Sequence, residues 1–315
     1  MLSLRYILRT YAALWVALLL CTSVSYGQQS VGLLRTSSDP GGSAKERLRS
    51  AGPLQSFTFE RNLIFFDALV DGRPGKFVLD TGAPSLIMND RGQGGAPANH
   101  TGLGTGGEVA LSELRVDRFE MGGRSVENYW AIGLDLREFE DRTARRIDGF
   151  VGYDLLNRGE LRIDYQRETF QLLRSVRRPT HGTQAPRAVL KFTLLDHLPI
   201  VAIRLDGRTY YFALDTGAGT SVIEAGLVEA VAATATGQSL NVQGLDGVPQ
   251  DCPLVNVPLP TGFPATDQLS TTLVAMDLAH LQTERGPVLA GILGSDFLSQ
   301  YTVGIDYRRR RVYLW

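Results

Sequence analysis

Cysteine is nearly missing from this sequence. The 315 residues include two, Cys21 and Cys252, and the first lies in a segment laid out like an export leader. Once that leader is removed, Cys252 stands alone and no internal disulfide can form, so the core must hold the fold together. Cys252 is read as a packing residue. Net charge is missing too: 32 Lys and Arg stand against 33 Asp and Glu, which argues against nucleic acid or an anionic surface as the main partner. The four histidines, His100, His181, His197 and His280, have no metal-ligand spacing, and no G-x-S-x-G elbow offers a serine nucleophile. No metal or organic cofactor is expected.

Long apolar runs are also lacking. YAALWVALLLC (11–21) is the longest, and about 11 residues fall short of the roughly 20 that a membrane span needs. With Arg5 and Arg9 before it and Ser25-Tyr26-Gly27 after it, residues 1–27 read as a signal peptide. The protein is therefore expected to be exported, to the periplasm or outside the cell, with no membrane attachment after cleavage. Residues 28–54 and 174–187 are rich in Ser, Gly, Pro and charge and read as a flexible lead-in and a linker. They bracket two segments of similar length, 55–173 and 188–315.

What the chain does have is a repeat. DALVDGRPGKFVLDTGA (67–83) parallels AIRLDGRTYYFALDTGA (202–218), and DGFVGYDLLNRGELRIDYQRETFQLL (148–173) parallels AGILGSDFLSQYTVGIDYRRRRVYLW (290–315). Asp71-Gly72 and Asp206-Gly207 are hairpin signals, so each Asp-Thr-Gly follows the second strand of a hairpin. Short apolar runs between turn residues predict an all-β fold, with brief helix at 226–234 and after each late glycine. A repeat this long is a duplicated domain rather than a solenoid unit.

The duplicated aspartates carry the chemistry. Two carboxylates brought together cannot both ionise cheaply; one keeps a proton while the other stays charged. Such a pair can activate a water and protonate a leaving group. Thr81 and Thr216 offer hydroxyls to fix the loops, and Gly82 and Gly217 let the backbone approach the carboxylates. On Asp80-Thr81-Gly82-Ala83, Asp215-Thr216-Gly217-Ala218, Phe150-Val151-Gly152 and Ile292-Leu293-Gly294, the sequence resembles the retropepsin/pepsin superfamily of aspartic peptidases, as tandem bacterial retropepsin-like domains.

The resemblance implies two acid-protease-like β-barrel lobes with a cleft between them. It also implies an Asp80/Asp215 catalytic dyad, Gly152 and Gly294 in ψ-shaped strand arrangements beside it, and a peptide or protein substrate cut by a monomer. The family covers its substrate with a glycine-rich flap, for which Gly104, Gly106, Gly107, Gly244 and Gly247 are candidates. GLGTGG (102–107) matches a nucleotide-binding pattern too, but no strand leads into it and a strand-like alternation follows. Ala83 and Ala218, where pepsins usually have Ser or Thr, imply an optimum less acidic than pepsin's. Asp154 and Asp296 read as structural, and Arg308–Arg311 as a solvated turn. The alternative function is a non-catalytic protein that keeps the fold to bind peptides or envelope components.

Overall fold

The computed structural model describes residues 14–15, 52–91, 96–104, 107–243, 249–258, 270–282 and 286–315. Strand outweighs helix, 57% to 9%, which makes the chain all-β. A two-residue strand, β1 (Leu14–Trp15), lies parallel to Val242–Gln243; the continuous fold begins at β2 (Gln55–Glu60). β3 (Leu63–Val70) and β4 (Arg73–Leu79) form the first hairpin. Its turn residues Asp71 and Gly72 both take positive φ, 51° and 76°, which suits the right-handed twist of the flanking strands.

Six strands then close on themselves. They are β3, β4, β9 (Gly149–Val151), β5 (Leu86–Asn89), β8 (Arg124–Leu134) and β7 (Gly107–Met121), and β7 returns to β3 through Leu69↔Glu120 and Val70↔Phe119. The ring is filled from the inward faces of the alternating strands. Two buried edge-to-face pairs mark this core, Phe77–Phe119 between ring strands with centroids 5.2 Å apart and Phe66 on Phe170 from outside the ring at 5.1 Å. β6 (Ala96–Gly104) forms a hairpin with β7 beyond the ring; a strand does lead into GLGTGG, contrary to the sequence expectation, but strand β7 follows it rather than the helix a phosphate loop needs.

The second half repeats the order. β13 (Leu198–Leu205) and β14 (Arg208–Leu214) form a hairpin through Asp206 and Gly207, with φ 44° and 74°. Then follow β19 (Leu289–Leu293), β15 (Val222–Glu224), β18 (Ser270–Met276) and β17 (Pro249–Pro258). Among the described residues no pairing of β17 with β13 closes this second set. β16 (Thr234–Gln243) extends it as a hairpin with β17.

A third sheet joins the halves. It runs β2, β11 (Thr169–Leu173), β10 (Glu160–Asp164), β20 (Thr302–Asp306), β21 (Arg311–Leu314), β12 (Ala188–Leu195), with every pair antiparallel. At its centre Arg162 of β10 faces Gly304 of β20. These two positions are also equivalent in the repeat, so an approximate two-fold axis passes between them. The Ile-Asp-Tyr strands each end in a turn whose N–H groups bond an aspartate: Arg167 N to Asp164 Oδ1 at 3.0 Å, and Arg309 N to Asp306 Oδ1 at 3.0 Å.

Helix is brief. α2 (Tyr153–Leu156) and α3 (Ser295–Leu298) follow the late glycines as expected, and α1 (Arg137–Thr143) was not foreseen. The helix expected over 226–234 is absent. A 3-10 turn covers Ala225–Leu227, and Ala232 at φ 54° ends the helical path before β16 begins at Thr234; Val228 and Val231 favour extended backbone over helix. No helix among the described residues is long and apolar enough to cross a membrane.

Because one sheet belongs to both halves, they should unfold together. Leu161→Ala empties a fully buried site facing Ile305 and should cost about 2–5 kcal/mol. Urea denaturation should show one transition, shifted to lower denaturant; two separate transitions would disprove joint folding.

Candidate active site

Each late-glycine strand positions an aspartate. β9 runs parallel to β4 and antiparallel to β5, and Val151 O accepts the Asp80 N–H at 3.0 Å; Leu293 O of β19 accepts that of Asp215 at 3.0 Å. Gly152 and Gly294 then pass so close to the loops that a β-carbon on either would strike the carbonyl oxygen of Ala83 or Ala218. Those carbonyls accept the next N–H groups instead, from Tyr153 at 2.9 Å and Ser295 at 2.7 Å. Both expected glycines therefore lie against the Asp-Thr-Gly loops, where a side chain has no room.

Asp80 and Asp215 meet between the halves, both fully buried. Asp80 Oδ1 accepts from Gly82 N at 2.8 Å and Ala83 N at 2.9 Å. Asp215 Oδ1 accepts from Gly217 N at 2.8 Å and from Gly82 N at 3.1 Å. One N–H thus serves both carboxylates, which fixes them side by side. A β-carbon at Gly82 would meet the Asp215 carboxyl carbon at 2.5 Å, and one at Gly217 would strike the Asp80 carboxyl. The remaining oxygens, Oδ2 of each, have no hydrogen-bond partner among the described residues.

Burial raises both acids. Desolvation pushes Asp80 up to about 6, although the Asp215 side chain and the Gly82 and Ala83 N–H groups pull it down. Asp215 is held well above the ordinary carboxylate range, first by burial and then by the charge of Asp80. The two acids therefore titrate as one pair, which keeps a proton above the ordinary carboxylate range.

The threonines cross between the halves. Thr81 Oγ1 donates to Leu214 O at 3.1 Å and accepts from Thr216 N at 3.0 Å. Thr216 Oγ1 donates to Leu79 O at 2.8 Å and accepts from Thr81 N at 3.1 Å. Four buried bonds tie the two loops with near two-fold symmetry. A buried polar group left unpaired is costly, so each loop depends on the other for satisfaction.

Of the flap glycines, Gly104 faces Gly107 at the end of the β6–β7 hairpin. Gly106, Gly244 and Gly247 lie outside the described residues; the flanking pair Gln243↔Pro249 belongs to the β16–β17 hairpin. Asp296 accepts from Ser221 N at 2.9 Å and Ser221 Oγ at 2.5 Å, and Asp154 from Tyr129 Oη at 3.3 Å, so both have structural partners. Arg308, Arg309 and Arg310 are exposed in the turn between β20 and β21, whereas Arg311 belongs to β21 and is half-buried; Cys252 is buried. No cluster of His, Cys, Asp and Glu among the described residues could hold a metal.

Sequence reasoning missed three contributors. Asn62 donates to Gly219 O at 2.9 Å, and His197 Nε2 lies 2.7 Å from Gly82 O. The repeat aligns these two residues with each other, and that alignment was the available signal. Ser295 Oγ donates to Thr216 O at 3.0 Å and accepts from the buried Tyr165 hydroxyl at 3.3 Å. The equivalent of Ser295 in the first half is Tyr153, whose ring packs on Tyr307 at 5.5 Å. No family model matches this sequence, and no curated protein matches it.

Raised acids make the folded state pay above the ordinary carboxylate range. Stability from these groups is full below the unfolded value of 3.8 and falls as pH rises toward their folded values. Asp215→Asn removes an acid and should raise the melting temperature at pH 7 by roughly 3 °C or more, with the gain vanishing near pH 3. Calorimetry at both pH values checks the sign.

Proposed function

We propose that the protein is an aspartic endopeptidase of the retropepsin/pepsin type. Its two acid-protease-like lobes, residues 55–173 and 188–315, lie in one chain, with Asp80 and Asp215 as the acid pair and a peptide bound extended between the lobes. The reading rests on one observation: two buried carboxylates, one from each half, share the Gly82 N–H and leave an oxygen each without a partner. Keeping such a pair has a stability cost, and that cost is commonly retained where it serves chemistry.

The division of labour follows from the surroundings. Asp80, as carboxylate, takes a proton from water as that water attacks the peptide carbonyl carbon. Asp215 gives its proton to the carbonyl oxygen, which becomes a hydroxyl of the tetrahedral intermediate. Collapse returns that hydroxyl proton to Asp215, while the proton held by Asp80 passes to the departing amine nitrogen. Neither metal nor cofactor is required. The leader-like layout of residues 1–27 supports placing the reaction in the periplasm or outside the cell.

The pH dependence is fixed by Asp80. Below its value of about 6 the attacking carboxylate is progressively lost, so kcat/KM should fall tenfold per unit toward acid, with the limb centred near pH 6. The direction agrees with the less acidic optimum that the resemblance implies for Ala83 and Ala218. The test is cleavage of a diverse peptide library by the mature protein from pH 3 to 8, beside Asp80→Asn and Asp215→Asn. Each substitution should lower cleavage by about a thousandfold or more. A folded wild-type protein that cuts nothing across that range would refute the peptidase reading and leave a non-catalytic peptide-binding cleft.

A further inference from the structure

His197 leaves the turn between β12 and β13, is buried, and reaches the aspartate loop of the opposite half. A carbonyl oxygen only accepts, so Nε2 carries the hydrogen and donates to Gly82 O at 2.7 Å. That peptide group has a second end. Its N–H is that of Ala83, which donates to Asp80 Oδ1 at 2.9 Å. A hydrogen bond at the carbonyl end polarises the peptide and makes its N–H a stronger donor. The route from His197 through the Gly82–Ala83 peptide therefore favours negative charge on Asp80.

Asp215 has no counterpart to this. The matching N–H, of Ala218, points to the main-chain oxygen of Asp215 at 3.3 Å rather than to its carboxylate. The matching turn residue, Asn62, bonds Gly219 O, two residues further along its loop than Gly82 is along the other. Two copies of one motif thus receive different support from across the interface. Burial lowers the His197 ring below the ordinary histidine value, against the Gly82 carbonyl bond and the charge of Asp196 on the same turn, which favours a single neutral donor beside Asp80 and Asp215.

We propose that His197 is a positioning residue of the acid pair: through the Gly82–Ala83 peptide it keeps Asp80 as the carboxylate and leaves the shared proton on Asp215. Its catalytic meaning rests on the aspartic peptidase reading, whereas its electrostatic content needs no substrate to be measured.

The experiment is carbon NMR of the mature protein carrying labelled Asp carboxyls, titrated as wild type, His197→Phe and His197→Gln. Phe keeps a ring and removes the donor; the Gln amide nitrogen reaches about as far as Nε2 and keeps an N–H. The Asp80 midpoint should rise by about half a pH unit or more in His197→Phe, and return most of the way in His197→Gln. Nitrogen NMR of the wild-type ring should show the Nε2–H tautomer. An unmoved Asp80 midpoint in folded His197→Phe overturns the proposal, as does an Nδ1–H tautomer. If His197→Phe does not fold, the tautomer decides. A protein that shows the shift but cuts no peptide sinks the peptidase reading alone; one that cuts but shows no shift sinks this inference alone.

Discussion

Two carboxylates held together away from water are the constraint on which the rest of the structure depends. An unpaired buried charge is costly enough that proteins either satisfy it or neutralise it, and both happen here. Asp80 and Asp215 are fully buried, yet each Oδ1 accepts two backbone N–H groups. The pair's mutual repulsion is relieved by keeping one proton. Backbone donors can come this close only where no β-carbon intervenes, hence Gly82 and Gly217. Loops this tight need fixed ends, which the parallel strands β9 and β19 supply through Val151 O and Leu293 O. The crossed threonines then bind each loop to the other, so neither half has a complete set of hydrogen bonds alone.

Duplication gives symmetry, and divergence within it gives the acids different surroundings. Where Ser295 relays a hydrogen bond from Tyr165 to the Thr216 carbonyl, the first half has Tyr153, and the Tyr307 hydroxyl is left without a partner among the described residues. Where Asn62 reaches Gly219, His197 reaches Gly82. The first set of six strands closes, and among the described residues the second does not. A perfectly symmetric dyad would leave its proton equally on either acid. These differences make the surroundings of the two acids unequal, and the His197 bond to Gly82 O is the one that reaches Asp80 through a shared peptide.

Much of this was legible because the repeat aligns chemistry with turns. Asp71-Gly72 and Asp206-Gly207 locate hairpins on φ preference alone, and nine residues later each hairpin delivers its aspartate. The late glycines and the Ile-Asp-Tyr strands were equally plain, since both mark local backbone demands. What escaped were the long-range choices. Nothing local in Leu69 and Val70 says that they pair with Glu120 and Phe119 to close a ring. The mixed run at 226–234 has enough Ala and Glu for helix, and only its entry into β16 at Thr234 decides against it. His197 looked like one of four scattered histidines until its fold-mate Asn62 was seen to make the same kind of crossing. Residue type predicted the loops, while partner choice across the axis needed the fold.

The shared sheet bears on why both repeats sit in one chain. Residues on the axis must face their own equivalents if a repeat pairs with a copy of itself, which would set Arg162 against Arg162 or Gly304 against Gly304. The fused chain sets Arg162 against Gly304. The missing side chain at Gly304 leaves space for Trp315, whose ring lies 4.5 Å beneath the Arg162 guanidinium, and that guanidinium in turn holds buried Glu160 through Nε at 2.8 Å and Nη2 at 2.6 Å. Two arginines in that place would repel one another, with Leu173 standing where Trp315 lies under the guanidinium, and two glycines would leave Trp315 without the guanidinium that covers it. Either self-pairing loses the guanidinium–tryptophan contact that the unlike pairing makes. Covalent linkage also keeps the unlike halves at high effective concentration. The axis thus selects the unlike partner within the same chain, and with it the single pairing that brings Asp80 to Asp215.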